Sequence, residues 1–200
     1  DTISREVLAA GTNVQYAEGQ VTSRAALTPE MKLTVKAVKK AVRFLKKQNA
    51  KKINGYYYGI VHPDCSYDLT EDARWIDAVK YKNPERIYNG EIGEIEGARF
   101  VETTEAKIWA KAGAAKSTSD TTKIDVYGTL IFGANAYATT KIEGGGLKTI
   151  IKQLGSAGTG DPLDQRATVG WKALKVTEIL TEAYMIRIET ASTFSDGEAN

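Results

Sequence analysis

Cysteine, histidine and proline are scarce in this chain of 200 residues, and each scarcity excludes a class of site or fold. The single cysteine, Cys65, cannot form an internal disulfide, so the sequence requires no oxidising compartment. The single histidine, His62, excludes sites that need two imidazole groups, and it also excludes zinc sites built from Cys and His. With only four prolines and no low-complexity tract, the composition argues against disorder.

Long apolar runs are also missing, so no segment approaches the length needed to cross a bilayer, and no signal-peptide pattern opens the chain. The composition, with 42% hydrophobic and 26% charged residues, is globular and suits one domain or two lobes that share a core. Because the chain begins at Asp1 rather than at methionine, we expect it to have been trimmed or processed upstream.

Charge is distributed unevenly, although the net charge is only +2. Residues 1–52 contain 11 Lys or Arg and four Asp or Glu, a balance of +7, so the remaining residues carry −5. A basic beginning and an acidic body suit nucleic-acid binding through the basic part. They suit equally well the pairing of the basic part of one copy with the acidic part of another.

The clearest predicted element is a long amphipathic helix over residues 28–49, with Thr28 as its N-cap and Pro29 in its first turn. Its apolar residues recur at spacings of four and three, which places them on one stripe, while lysines and arginines fill much of the remaining surface. The stripe consists of Met31, Val35, Val38, Val42 and Leu45. The outer face of this helix is therefore predicted to be basic.

A second helix and several strands are predicted after it. Residues 65–81 have a helical pattern, with Thr70 as the cap and Trp75, Ile76 and Val79 facing inward. Apolar runs predict buried strands at GYYYGIVHP and IDVYGTLIFG, and alternation predicts strands at ARFVETT, KIWA, LKTIIKQL, DQRATVGWKALK and AYMIRIETA. In DQRATVGWKALK one buried face is predicted, formed by Ala167, Val169, Trp171 and Ala173. Strands interleaved with helices indicate an α+β fold.

Catalytic and ligand-binding motifs are weak in this sequence. Carboxylates cluster at Glu91, Glu94 and Glu96, and again at Glu102 and Glu105. Paired acids could form a catalytic or cation site, but the turn-rich surroundings of Glu94 and Glu96 favour a solvated acidic face. His62 ends a buried strand, where it could act as a general base, although hydrogen bonding at the strand end is the commoner role. The glycine-rich segments EGGGLKT and GSAGTG lack the spacing and the following helix of a phosphate loop. We therefore expect no enzyme, no cofactor and no metal.

Two alternatives to a purely structural role stay open from the residues alone. One is a small cytoplasmic α+β enzyme that uses His62 and nearby acids. The other is a nucleic-acid-binding module, in which the basic helix contacts phosphates without reading sequence. Because Phe44 is the only aromatic residue among its basic residues, base stacking is not expected.

Segments in order along the whole chain resemble one known family. They are REVLAAGTNVQYA, INGYYYGIVHPDCSYDL, NGEIGEIEGARFVET and TIIKQLGSAGTGDPLDQRATVGWKA. They are similar to the major capsid proteins of tailed bacteriophages, specifically the subfamily of N-four-like phages and many prophages.

The resemblance implies the tailed-phage major capsid fold, which is shared with the herpesvirus capsid floor. A spine helix at about 28–49 and return strands at about 165–191 would belong to a peripheral lobe that also contains a β-ribbon. This lobe would comprise residues 1–54 and 160–195, with a mixed α/β axial lobe, residues 55–159, inserted into it. Residues 196–200 are predicted to be a frayed tail. Gly90, Gly93 and Gly97 would turn the chain rather than bind a ligand.

The resemblance also implies a structural subunit that assembles into the icosahedral shell around a phage genome. Its partners would be copies of itself in pentamers and hexamers, packaged DNA through non-specific contacts, and portal or scaffold proteins, with no membrane. It would be found in the virion capsid, and in the host bacterial cytoplasm before assembly. Two groups of residues are candidates for contacts at subunit boundaries, and the first of them is also a candidate for contact with packaged DNA. They are Lys39, Arg43, Lys46 and Lys47 on the helix, and Asp161, Pro162 and Arg166 in a loop.

Overall fold

The chain divides into two compact units in the computed structural model, which describes residues 2–82, 93–117, 119–140, 145–156, 160, 163 and 165–194. The first unit comprises Asp1–Tyr137 and Ile179–Asn200, and the second, which we call the hairpin unit, comprises Ala138–Glu178. The lobe boundaries predicted after residues 54 and 159 do not coincide with this division. The division by contacts does not test the predicted lobes, so the lobe assignment stays a prediction.

The described part of the first unit contains four α-helices. They are α1 (Thr2–Ala9), α2 (Val35–Lys47), α3 (Pro63–Thr70) and α4 (Ala73–Lys82). None of the helices in the described ranges is long and apolar enough to span a membrane.

A mixed sheet, seven-stranded in the described residues, forms the centre of the first unit. Its strands are β1 (Val14–Tyr16), β2 (Tyr57–Val61), β3 (Glu94–Ile95), β4 (Ala98–Glu102), β5 (Ile108–Trp109), β6 (Val126–Phe132) and β11 (Met185–Thr190). The order is β1-β11-β6-β2-β4-β3, with β5 also paired to β6. The β1–β11 and β2–β4 pairs are parallel and the others are antiparallel. The predicted strands at these positions are confirmed.

Both faces of this sheet are covered, because side chains that alternate along a strand enter different apolar clusters. In β2, Tyr57 and Val61 pack with α2, whereas Tyr58 and Ile60 pack with Leu8 of α1. The α2 residues in the core are Ala37, Val38, Ala41, Val42 and Leu45. The predicted amphipathic helix is therefore confirmed, although its bounds differ.

Helix α2 begins six residues later than predicted. Thr34, not Thr28, is the N-cap, and its side chain accepts a hydrogen bond from the backbone N–H of Ala37 at 3.2 Å. The free N–H of Val35 donates to Asp72 Oδ2 at 2.9 Å. The start of α2 is thus supported both by its own cap and by a carboxylate distant in sequence, and a local pattern does not reveal the second.

The single helix predicted over residues 65–81 is two helices, so this prediction was wrong. Helix α3 begins earlier, at Pro63, and His62 is its N-cap. The chain then breaks before α4, where Asp72 Oδ1 accepts a hydrogen bond from Arg74 N at 2.9 Å. Asp72 therefore serves the starts of two helices and replaces the predicted cap Thr70.

The glycine-rich turn between β3 and β4 matches the sequence prediction. Glu96 and Gly97 both have positive φ, 54° and 85°, as in the two-residue turns that suit antiparallel hairpins. Gly93 also has positive φ, at 64°, while Gly90 lies outside the described residues. In the described part of this stretch, the glycines serve backbone geometry.

The hairpin unit is a β-ribbon in its described residues. Strand β7 (Tyr137–Thr139) pairs with β10 (Thr177–Ile179), and β8 (Lys148–Lys152) pairs with β9 (Thr168–Lys172). The strands predicted at LKTIIKQL and DQRATVGWKALK are confirmed. The buried face predicted for the second of them is wrong for this chain, because Val169 and Trp171 are 75% and 74% exposed. Alternation of apolar and polar residues along a strand indicates which side chains share a face. It does not indicate whether other residues of the same chain cover that face.

Candidate interaction surfaces

Helix α2 presents a continuous cationic surface, which we call the basic face. It consists of Lys36, Lys39, Lys40, Arg43, Lys46 and Lys47, all of them exposed. Residues three and four apart are neighbours on a helix surface, so these side chains follow one another along the side opposite the core. The predicted basic outer face is therefore present.

Two lysines in the first half of the basic face form ion pairs within the first unit. Lys36 Nζ lies 2.5 Å from Glu18 Oε2, and Lys39 Nζ lies 3.4 Å from Glu96 Oε1. The hydrogen bond from Lys36 lowers the pKa of the Glu18 carboxyl below its ordinary range. Lys40 donates to the backbone carbonyl of Glu18. Lys39 is thus less available to a partner than the sequence suggested.

The second half of the basic face keeps its charge uncompensated within the described residues. No ion pair there involves Arg43, Lys46 or Lys47. Lys46 and Lys47 lie in the last turn of α2, where positive charge interacts favourably with the helix dipole. Within the part of the chain that the structure describes, this end of the helix therefore carries the uncompensated positive charge of the basic face.

His62 occupies a capping position rather than an accessible catalytic one. Its side chain is 4% exposed, and its Nδ1 accepts a hydrogen bond from the backbone N–H of Asp64 at 3.2 Å. Burial lowers the pKa of His62 below its ordinary value, and the nearby Asp64 carboxylate opposes that shift. The Tyr127 ring lies 5.1 Å away and its hydroxyl donates to Asp64 Oδ2 at 2.8 Å. This arrangement stabilises the start of α3.

Cys65 is equally unsuited to nucleophilic chemistry. The thiol is fully buried, and this burial raises its pKa far above the ordinary range, so it stays protonated. A cavity of about 190 Å³ lies elsewhere in the first unit, lined by residues that include Arg5, Lys107 and Asp125, and His62 is not among them. The enzyme alternative thus gains no geometric support from His62.

The predicted acidic face is exposed, as expected for solvated carboxylates. Glu94, Glu96, Glu102 and Glu105 are all exposed, while Glu91 lies outside the described residues. Glu105 Oε2 accepts a hydrogen bond from Arg5 at 3.3 Å, and Glu102 accepts one from Ser66. Within the described ranges, no group of three His, Cys, Asp or Glu has the geometry to hold a metal ion.

Of the three predicted contact residues in the loop, Arg166 is described, and it is exposed. Asp161 and Pro162 lie outside the described residues, so their place beside Arg166 stays a prediction. Sequence reasoning missed a different feature of the same unit, the exposed apolar side chains of β8 and β9. The alternation in ATVGWKA was the signal, and it was assigned to a core.

Comparison with known proteins connects this fold to phage capsids. A model of the phage capsid protein family matches residues 2–154. None of the curated proteins matches the chain.

Solved phage structures share the fold across nearly the whole chain. The capsid of Ralstonia phage GP4 has a TM-score of 0.64 and 15% identity, covering 95% of this chain and 55% of its own. The capsid asymmetric unit of cyanophage Pam1 has a TM-score of 0.67 and 10% identity, covering 93% and 56%. A structure of Mycobacterium phage Che8 has a TM-score of 0.63 and 14% identity, covering 94% and 57%. This chain therefore spans little more than half the length of the proteins it resembles.

Proposed function

This chain belongs to the phage capsid protein family, and we propose that it is part of a structural subunit that assembles into the shell of a phage or prophage head. The observation that carries the proposal is the family match over residues 2–154, together with the fold shared with phage capsid structures. In this function, no catalytic step is required of the subunit. Its partners are further copies of itself, and its place is the virion, reached from the host cytoplasm.

The fold suits such a role because shell subunits need several modest surfaces rather than one deep pocket. Symmetry repeats each contact many times, so a surface of moderate strength suffices in each copy. The opposite charges of residues 1–52 and of the rest of the chain provide complementary surfaces. Such charge pairing supplies orientation and register more than affinity.

The experiment that tests the proposal is negative-stain electron microscopy of the full natural protein, expressed beside the present chain. We expect shells, or pentameric and hexameric rings, from the full protein. Discrete monomers at high protein concentration and at every salt concentration would contradict the proposal.

We propose further that the end of the basic face at Arg43, Lys46 and Lys47 lies at a subunit boundary or faces packaged DNA. Support comes from the uncompensated charge of these three side chains among the described residues. Lys39 was predicted with this group and stays in the proposal, with its charge shared with Glu96. The double charge reversal Lys46→Glu with Lys47→Glu tests the idea.

The two versions of this proposal predict different products. At a subunit boundary, the reversal prevents shell formation, whereas at a DNA-facing surface, shells form but contain less DNA. The matched control is Lys111→Glu with Lys123→Glu, which changes the same charge on an exposed loop. Normal filled shells from the Lys46 and Lys47 double variant would remove the idea.

The loop with Asp161, Pro162 and Arg166 remains a proposed contact with a neighbouring subunit. Arg166 is exposed, as such a contact requires of the isolated chain. We expect Arg166→Ala to lower the melting temperature of capsomers in thermal denaturation. Unchanged capsomer stability would count against the contact.

A further inference from the structure

Exposed apolar side chains are concentrated in the hairpin unit. Nine of the 13 large apolar side chains that are exposed among the described residues lie in Ala138–Glu178. Eight of them are more than half exposed, namely Leu147, Ile151, Leu154, Leu163, Val169, Trp171, Leu174 and Val176. Single exposed apolar residues are normal on protein surfaces, whereas a concentration of this kind marks an interaction surface.

The strand register divides these side chains between two faces of the ribbon. In antiparallel strands, residues directly opposite each other point to the same side. Thr149 is opposite Trp171, and Ile151 is opposite Val169. One face of the β8–β9 ribbon is therefore apolar, and we call it the apolar face, formed by Ile151, Val169 and Trp171.

The other face of the same ribbon is cationic. Lys148 is opposite Lys172, and Lys152 is opposite Thr168, with Ile150 and Gly170 between them. Like charges directly opposite each other destabilise a strand pair. We therefore expect this face to stay in contact with water rather than to be covered by apolar protein. The ribbon has one side for an apolar partner and one for water or for anions.

The ribbon also lacks a core of its own. In the described part of Ala138–Glu178, no apolar side chain is buried. A two-stranded hairpin alone is marginally stable in water, and three or more strands with a covered apolar face are needed for independent stability. The hairpin unit therefore gains stability from whatever covers its apolar face.

The amount of exposed apolar surface fits a protein partner. The three side chains of the apolar face, at 61–75% exposure, present roughly 130–250 Å² of apolar surface, since each has on the order of 60–120 Å² to bury. A standard protein interface buries about 800 Å² per partner, of which roughly 450 Å² is non-polar. The apolar face thus supplies about a quarter to a half of the apolar surface of one such side, which suits a modest contact that symmetry repeats many times.

We infer that the apolar face formed by Ile151, Val169 and Trp171 docks onto a second copy of this chain, while the lysine face of the ribbon points away from that contact. The inference rests on the proposed shell function, in which identical subunits are the most concentrated protein surface available. Val169 and Trp171 were predicted from the sequence to face a core. In a docked pair they lie in an apolar core that two copies of the chain share.

The first test compares the two faces of one strand in the full natural protein. Trp171→Ser with Val169→Ser removes the apolar face, and Lys172→Ser with Thr168→Ala changes the neighbouring positions on the opposite face. Sedimentation velocity and electron microscopy then measure the fraction assembled. We expect at least a tenfold loss of assembled protein for the first pair and a change below twofold for the second. Equal effects of the two pairs would overturn the inference.

The second test does not depend on the folding of an apolar-to-polar variant. A photoreactive p-benzoylphenylalanine is placed at Val169 or at Lys172 in the full protein, and the cross-linked product is identified by mass spectrometry. We expect adducts between two copies of this chain from position 169 and at least fivefold fewer from position 172. Adducts only within one chain, to lipid or to another protein would overturn the inference. Failure of the proposed function is distinguished from failure of this inference by the unmodified full protein. If that protein forms no assembly, the proposed function fails, and neither variant is needed to show it.

Discussion

Glu189 carries a carboxylate into the centre of the sheet, where its charge is compensated by two arginines. The side chain is fully buried, and its oxygens accept hydrogen bonds from Arg24 Nε and Nη2 at 2.6 and 2.8 Å. Arg187 Nε donates to the same carboxylate at 2.8 Å. Both guanidinium groups lie over the Trp109 ring, at 3.9 and 5.3 Å from its centroid. The cluster links a segment before α2 to the last strand.

Removing the charge of Glu189 should destabilise the folded state, because it leaves two arginines without the carboxylate that they share. We expect Glu189→Gln to lower the free energy of unfolding by about 3–5 kcal/mol, as in other broken buried ion pairs. Chemical denaturation monitored by circular dichroism measures this. The control is Glu96→Gln, whose exposed ion pair with Lys39 should contribute about 0–1 kcal/mol. Equal stability of the two variants would refute the role of the cluster.

His62 should make stability depend on pH near neutrality. Burial lowers the pKa of the folded-state imidazole below 6.5, so below pH 6.5 the unfolded chain binds a proton that the folded chain does not. Stability is therefore complete above pH 6.5 and falls as the pH falls towards the folded-state pKa, by up to about 1.4 kcal/mol per unit of difference.

The variant His62→Asn isolates this effect. Asparagine can still cap α3 by accepting from the N–H of Asp64, but it does not titrate. We expect the loss of melting temperature between pH 7.5 and 5.5 to be smaller in His62→Asn than in the unmodified chain. Identical losses would show that His62 is not the titrating group.

At the start of helix α2, the Thr34 side chain accepts a hydrogen bond from a first-turn N–H and also donates to Glu18 Oε1 at 2.9 Å. We expect Thr34→Ala to lower the free energy of unfolding by about 1–2 kcal/mol, because both bonds are lost. Thr28→Ala is the matched control, since Thr28 is the cap that the local pattern predicts. A larger effect from Thr28→Ala would contradict the observed helix start.

Strong local patterns predicted the elements well, and contacts distant in sequence explain what they missed. The apolar runs around Val61 and Ile131 became central strands because a strand covered on both faces needs apolar residues at successive positions. The helix starts were misplaced because Thr34 replaces Thr28 as the cap of α2, and Asp72 accepts hydrogen bonds at the starts of both α2 and α4.

The candidate surfaces were predicted only in part, for a related reason. Basic residues at helical spacing identified the basic face, but the ion pairs of Lys36 and Lys39 join segments that the sequence does not align. Alternation around Trp171 correctly gave a two-faced strand. It could not indicate that the apolar face is exposed, because a core shared between copies has the same sequence pattern as an internal one.

At the scale of the whole molecule, the two units differ in how their apolar residues are used. All three apolar clusters of the described residues belong to the first unit, which brings Met185 and Ile188 near the chain end together with Leu8 and Leu45. The hairpin unit contributes none of these buried residues. The first unit should therefore fold without the outer part of the ribbon.

A shortened chain tests this directly. Thr140 N donates to Val176 O at 2.9 Å, and Val176 N donates to Thr140 Oγ1 at 3.1 Å, so the two residues are opposite each other. Replacing residues 141–175 with Asn-Gly closes this pair by a two-residue turn, for which Asn-Gly is the favoured sequence.

We expect the shortened chain to unfold cooperatively with a melting temperature within about 3 °C of the complete chain, a shift equivalent to about 1 kcal/mol for a chain of this size. The same deletion made in the full natural protein should abolish assembly, because it removes the apolar face. A shortened chain that is unfolded would show that the first unit needs the ribbon for its own stability. A folded deletion variant that still forms shells would show instead that contacts outside the hairpin unit are sufficient for assembly.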